Sequence, residues 1–355
     1  MSGPREIILH VGPSKTATTT IQRALVQASL NLEPAGVRVY TERWWLIRKL
    51  VQEQAGFVNT SNVDYWSRLL DPLVESGPSR VIFSNELLSW FDERSIGKIV
   101  NALGPSRVRV VIGVRPLAEI IPSYWQEYLK SGLTVDYEQF HQSVLGSQHV
   151  SHAAKQLTDQ FWVEEHLGNL ADRWIAHLGK DRVTGFVVDV RQPALTVERA
   201  AQALSIQGLI SSSDQREENR SLGVRACATM IECNRRFNRR GLSPRVQKLL
   251  QITLSDHLRA NHPDDMKLPS LEEYAATIAI KQREIDAQLN ASGIVIIGRG
   301  DPVGRAVAPP PIPASSIDWR PWPVSWLDVG RRLAVHFVKQ QVHQYRNRRS
   351  FRRTK

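Results

Sequence analysis

The chain is poor in cysteine: Cys227 and Cys233 are the only two in 355 residues. On one helix their six-residue spacing amounts to about 9 Å of axial rise, too far for a disulfide. A fold stapled by cystines is excluded, and a reducing, cytoplasmic setting is the expectation. The opening residues, MSGPREIILHVG, hold no long apolar run, so neither a signal peptide nor a membrane span is expected. No zinc-ligand spacing, RNA-binding signature or internal repeat is present. Acidic residues are missing altogether from Arg331 onward, a stretch with nine Lys or Arg. Without those nine, positions 1–330 carry 37 basic against 35 acidic residues, so the net charge of +11 falls to +2. The basic character belongs to a tail, and the body is not expected to bind nucleic acid.

The remaining composition, 42% hydrophobic and 23% charged, is that of an ordinary globular protein long enough for a full core. Four apolar runs in the first half read as strands buried on both faces: EIILHVG, GVRVY, SRVIFSNE and RVRVVIGVRP. RVTGFVVDV is a fifth, followed by a helical TVERAAQALSI. A helix is expected from about Thr18 to Leu32, because Ile21, Ala24, Leu25, Ala28 and Leu32 recur at helical spacing before EPAG. EEHLGNLADRWIAHLG and VRACATMIECNRRF read as further helices. Strands alternating with helices imply an α/β fold with a parallel sheet.

The Pro- and Trp-rich stretch AVAPPPIPASSIDWRPWPVSW reads as an irregular connector. The expected organisation is a domain over 1–305, a connector over 306–325, and a basic amphipathic helix and tail over 326–355. In that tail Trp326, Val329, Leu333 and Phe337 fall on one stripe. The stripe suits either packing on the domain or contact with an anionic membrane surface.

The segment ILHVGPSKTATTTIQRAL carries the chemistry. A strand, a small-residue turn and a helix start present backbone N–H groups and the positive end of a helix to an anion. Lys15 adds a full charge, and Thr16, Thr18, Thr19 and Thr20 add hydroxyls. The standard nucleotide loop G-x-x-x-x-G-K-[ST] is not matched, since Leu9 and Ser14 stand where its glycines belong. The plainer alternative is that the threonines are helix caps and Lys15 a solvated surface residue.

HVGPSKTATTTIQ is similar to the 5′-phosphosulfate loop of PAPS-dependent sulfotransferases, H-[IV]-G-x-x-K-T-G-T-T-x-[IL]-Q. His10, Gly12, Lys15, Thr16, Thr18, Thr19, Ile21 and Gln22 match, and Ala17 departs where the pattern has glycine. VRVVIGVRPLAEIIPSYWQEYLKSG resembles the family's 3′-phosphate motif, with Arg115 after a strand and Ser123 on the following helix. Glu86 in RVIFSNELLSWF resembles the candidate general base of glycan-type members; helix capping is its plainer role. ENRSLGVRACATMIECN resembles a later N-x-S-[LI] stretch through Asn219 and Ser221, and His10 is expected to be a packed histidine. The likeness runs from Ile7 to Gly132, touches 219–221, and leaves the last fifty residues uncovered.

The resemblance implies a P-loop-like three-layer α/β/α fold with a central parallel sheet, extra helices and a C-terminal tail. It implies an enzyme transferring a sulfuryl group from PAPS to a hydroxyl acceptor, a carbohydrate or glycolipid by analogy with bacterial relatives. Ser14, Lys15, Thr16, Ala17, Thr18, Thr19 and Thr20 would hold the 5′-phosphosulfate, Arg115 and Ser123 the 3′-phosphate. Lys15 and Glu86 would be catalytic, and no metal is required. Trp44, Trp45 and Trp90 are candidates for stacking on a sugar, with core packing expected for at least two. GIVIIGRGDP suggests a late turn near the site, with no role for Arg299 or Asp301. Two other functions remain open: a P-loop kinase or NTPase built on Lys15–Thr16, and a non-enzymatic protein that binds membranes or partners through its tail.

Overall fold

The computed structural model describes residues 5–41, 44–54, 64–146, 152–210, 221–300, 311–330 and 332–333. Asn219, Asp301, Phe337, the Trp44 side chain and most of the basic tail lie outside that set. In chain order the elements are β1 (Glu6–Val11), α1 (Thr18–Gln27), α2 (Ser29–Leu32), β2 (Val37–Tyr40), α3 (Trp44–Gln54) and α4 (Tyr65–Val74). Next come β3 (Arg80–Ser84), a 3-10 turn at Glu86–Trp90, α5 (Glu93–Leu103), β4 (Val108–Val114), α6 (Leu117–Leu129) and α7 (Tyr137–Leu145). They are followed by α8 (His152–Glu165), α9 (Leu167–Leu178), β5 (Val183–Val187), α10 (Pro193–Ala203) and α11 (Val224–Arg239). The series ends with α12 (Pro244–Asn261), α13 (Glu272–Ala291) and β6 (Val295–Ile297).

The chain forms two interleaved units, one of residues 1–120, 151–216 and 276–308, the other of 121–150, 217–275 and 309–355. The first unit contains the sheet, six strands in the order β2-β3-β1-β4-β5-β6, every pair parallel. Alternation along β1 decides its two faces. Ile7, Leu9 and Val11 join Phe83, Val110 and Ile112 against α3, α4, α5 and α9. Ile8 joins Ile82, Val111 and Phe186 against α1 and α10. The result is a three-layer α/β/α arrangement, as the strand–helix alternation implies. All four β1 aliphatics are 0% exposed, and complete burial of such a side chain is worth about 1.5–3 kcal/mol.

Two segments differ from expectation. The helix expected over Thr18–Leu32 breaks at Ala28 (φ −81°, ψ 3°) into α1 and α2. Its apolar face survives the break, since Ile21, Ala24, Leu25, Ala28 and Leu32 are all buried. EEHLGNLADRWIAHLG is two helices: α8 ends at Glu165, and His166 caps α9 by accepting from the Asn169 N–H at 3.3 Å. The late turn in GIVIIGRGDP is preceded by a sixth strand, β6, which pairs with β5.

The second unit is helical. It contains α7, α11, α12, the distal part of α6 and the start of α13, and it takes in residues 311–330. Trp125 is fully buried, donates Nε1–H to the Val135 carbonyl at 3.0 Å, and meets Trp319 edge-on at 6.2 Å. Trp322 lies between the Arg225 guanidinium, 3.5 Å above its ring, and the His262 imidazole, stacked at 4.2 Å. Residues 326–330 are helical, and Val329 is buried while Trp326 is 44% exposed. No helix among the described residues is long and apolar enough to cross a membrane.

Candidate active site

The central strand β1 lies between β3 and β4, so the loop after it emerges at the carboxyl edge of the sheet where the strand order reverses. Ligands of open α/β sheets gather at such a point. The loop, residues 12–17, is held by its own chain. Thr16 is fully buried and donates both its N–H (3.3 Å) and its hydroxyl (2.7 Å) to the Pro13 carbonyl. Lys15 and Ala17 are left-handed, at φ 68° and 61°, and Thr16 between them is not. Alternation of this kind curls successive backbone N–H groups toward one point and creates an anion-binding concavity.

Ala17 is also the residue before α1, and it gives the helix no side-chain cap. The helical ladder opens with the Ile21 N–H on the Ala17 carbonyl at 3.0 Å, so the amides of Thr18, Thr19 and Thr20 precede it. Thr18 is 3% exposed and its hydroxyl has no hydrogen-bond partner. Thr19 is exposed, and Ser14, Lys15 and Thr20 are half-buried.

Ala17 therefore has the backbone that the glycine of the pattern would adopt freely. A left-handed L-residue costs roughly 1–2 kcal/mol, and the greater freedom of glycine in the unfolded chain returns about 0.4–1 kcal/mol of that. Ala17→Gly should accordingly be more stable than the wild type by up to about 1 kcal/mol, read as a higher urea midpoint at unchanged slope. A lower midpoint would mean that position 17 does not need the left-handed conformation.

Two glycines make room for the loop. A Cβ on Gly12 would run into the Thr18 hydroxyl, and one on Gly113 of β4 would lie 2.9 Å from Thr16 Cβ and Oγ1. Both are close approaches that only glycine allows, and Gly113 is not part of the sequence-based site.

Arg115 follows β4 directly and is 8% exposed. Its Nη1 donates to the Lys15 carbonyl at 2.7 Å and its Nε to Glu119 Oε2 at 3.2 Å. This fork ties the loop to the end of β4 and brings a second cation to Lys15. Ser123 is half-buried on α6, in the stretch belonging to the second unit. Glu86 opens the 3-10 turn after β3 and is exposed. The capping role there falls to Asn85, whose side chain accepts from the Leu87 N–H at 3.0 Å. His10 is fully buried, with Nδ1 2.7 Å from Ser84 Oγ, and burial pushes its pKa down to about 4. Near neutral pH it is an uncharged packing group, as expected.

The largest addition is a pair of carboxyls from the end of α8. Glu164 accepts the Ser14 N–H at 2.5 Å through Oε1, while its Oε2 has no hydrogen-bond partner. Glu165 is completely buried and neither of its oxygens has one. Burial pushes Glu164 up to about 7, with Ser14 and the neighbouring Trp90 side chain working against the rise and the nearby Glu86 adding to it. Burial also drives Glu165 well above the usual carboxylate range. Glu164 and Glu86 add to that rise, while Arg115 and Lys15 oppose it. Lys15, Arg115, Glu86, Glu164 and Glu165 thus form one electrostatic cluster around the loop. Among the described residues no group of His, Cys, Asp or Glu is arranged to hold a metal ion.

No protein-family model matches the chain, and no curated protein does. Among solved structures, a sulfotransferase from Alicyclobacillus acidocaldarius is similar over 61% of this chain and 88% of its own. The sequences are 14% identical and the TM-score is 0.38. A likeness that distant says nothing of activity, so the functional reading rests on the loop and the charges around it.

Proposed function

We propose that the chain is a sulfotransferase that takes a sulfuryl group from PAPS and delivers it to an acceptor hydroxyl. The observation that carries this reading is the loop itself. It has paired left-handed residues and uncapped helix amides, with Lys15 and Arg115 beside it and Glu86 on the neighbouring strand end. Those residues fit a phosphate-bearing donor: convergent N–H groups, a helix N-terminus and two cations all favour an anion.

When bound, PAPS supplies an electrophilic sulfur on a phosphate leaving group. The other roles belong to the chain. Residues 14–20 cradle the 5′-phosphosulfate, and Arg115 with Ser123 is assigned to the 3′-phosphate, where a guanidinium fork can chelate oxygens. The Glu86 carboxylate accepts the acceptor's proton as the new O–S bond forms. Lys15 offsets the charge that develops on the bridging oxygen as the S–O bond to phosphate breaks. The acceptor class we favour is carbohydrate. Trp45, 46% exposed on α3, offers an aromatic face, and Gln54 of the same helix donates to the Trp90 carbonyl at 3.1 Å, beside the Glu86 turn.

Calorimetry tests the donor. 3′,5′-Bisphosphoadenosine should bind in EDTA as well as in magnesium. Lys15–Thr16 also suits a kinase, so binding of ATP with magnesium, and no binding of the bisphosphate, would replace this reading with that one.

A further inference from the structure

The Ser14 N–H points to the place where a loop of this geometry would meet an anion's oxygen, and a side chain of the protein already fills that place. Glu164 comes from the last turn of α8, 150 residues along the chain, to accept that N–H. A carboxylate in such a position is a chemical stand-in for a phosphate oxygen. Its neighbours make the position costly for a charge. Glu164 has a second oxygen without a partner, and Glu165 beside it is buried with two. The charged groups facing the pair are Lys15 from the loop, Arg115 from the end of β4 and Glu86 from the end of β3, with Glu119 of α6 bonded to Arg115. With burial favouring the neutral form of Glu165, Lys15 and Arg115 face Glu86, Glu119 and Glu164, and an incoming polyanion adds to an excess of negative charge unless Glu164 becomes neutral.

We propose that Glu164 is a proton-gated placeholder for the donor: the phosphosulfate nucleotide enters the loop together with one proton, taken from solvent, which neutralises the Glu164 carboxyl. The inference rests on the donor reading above and adds a binding residue and a linked ion to it. Neutral Glu164 can still accept the Ser14 N–H through its carbonyl oxygen, or give the amide up without leaving a buried charge behind.

The sign of the linkage follows. Glu164 titrates at about 7 in the ligand-free protein, so above that pH it is mostly ionised and must gain a proton when the nucleotide binds. Affinity should then weaken as pH rises from 7 to 9, by up to about tenfold per unit for one proton. The second ionisation of a phosphate monoester lies near pH 6, so at pH 8 the ligand contributes no proton of its own.

The test is calorimetry of 3′,5′-bisphosphoadenosine in EDTA at pH 8, in two buffers of different ionisation enthalpy, with the wild type, Glu164→Gln and Glu165→Gln. The wild type should take up about one proton. Glu164→Gln should take up markedly less and lose most of its pH dependence. Glu165→Gln should keep the uptake, because the Ser14 N–H that the nucleotide would claim is held by Glu164 and not by Glu165. No uptake by the wild type, or undiminished uptake by Glu164→Gln, would overturn the proposal. Uptake abolished by Glu165→Gln alone would move the proton off Glu164 and overturn it equally. If none of the three proteins bound the nucleotide, the donor reading would fall, and this inference with it.

Discussion

Glu86→Gln should reduce turnover by about 10²–10⁴-fold, the usual contribution of a positioned general base, and leave nucleotide affinity within about twofold. The substitution keeps the shape and removes the negative charge and with it the capacity to take a proton. The surrounding turn has supports besides the carboxylate: Asn85 caps it, the Ser89 hydroxyl donates to the Glu86 carbonyl at 2.7 Å, and β3 is held on both sides by parallel partners. A loss of activity therefore reports chemistry and not a loosened strand end. Removing one carboxylate has two opposed effects on donor binding, less repulsion of the incoming anion and a Glu164 that is harder to protonate because Glu86 no longer raises its pKa, so affinity should change little. Single-turnover rates with saturating donor would show the effect. A variant with wild-type turnover would remove Glu86 from the mechanism and leave the donor site standing.

Lys15→Ala should lose about 10²–10³ in turnover, comparable to losing one preorganised group that faces developing charge, and should also bind the bisphosphate more weakly. Alanine is the informative replacement. Position 15 is left-handed at φ 68°, so glycine would relax the backbone and mix two effects, whereas alanine retains the strained conformation and removes the ammonium with its alkyl stem. The Arg115 contact is to the Lys15 carbonyl, so it survives the change and the loop stays tied to β4. Isothermal titration and steady-state kinetics on the same preparation would separate the two losses. Unchanged binding and unchanged turnover together would place Lys15 in solvent, outside the site.

Much of this site can be read along the chain because its parts are local. An apolar run, a turn of small residues and a hydroxyl-rich helix start sit within eighteen residues of one another. Glu86 and Arg115 are legible for a related reason, since each directly follows a run apolar enough to be a buried strand. The acidic pair was not legible. EEH continues into a pattern of helical period, and the break that frees Glu164 and Glu165 from the next helix depends on a histidine acting as N-cap, which is not among the residues that normally signal one. The one available sign was two adjacent carboxylates inside FWVEEHL, otherwise an apolar stretch. Gly113 was hidden differently. Its need for glycine exists only because Thr16 comes to lie against β4, which is a property of the fold. β6 is hard to recognise because its apolar run, Val-Ile-Ile, is only three residues long and forms the edge of the sheet, where Val295 is 67% exposed. The two interleaved units could not be found from composition, because α6 and α13 each run across a boundary without a change in character.

The missing side-chain cap on α1 has a consequence for how the protein ages and is handled. Helices normally complete their first turn with a residue of their own; Ala17 supplies no such cap, and under the proposed function the bound anion would take its place. Ligand and secondary structure would then share a boundary, and filling the loop would finish the helix. At a concentration one hundred times its dissociation constant, any such anion would add about 2.7 kcal/mol to the folded state. Phosphate or sulfate in a storage buffer would then act as a structural component, and exchange into a buffer without such anions would expose the protein at the residues it uses for its chemistry.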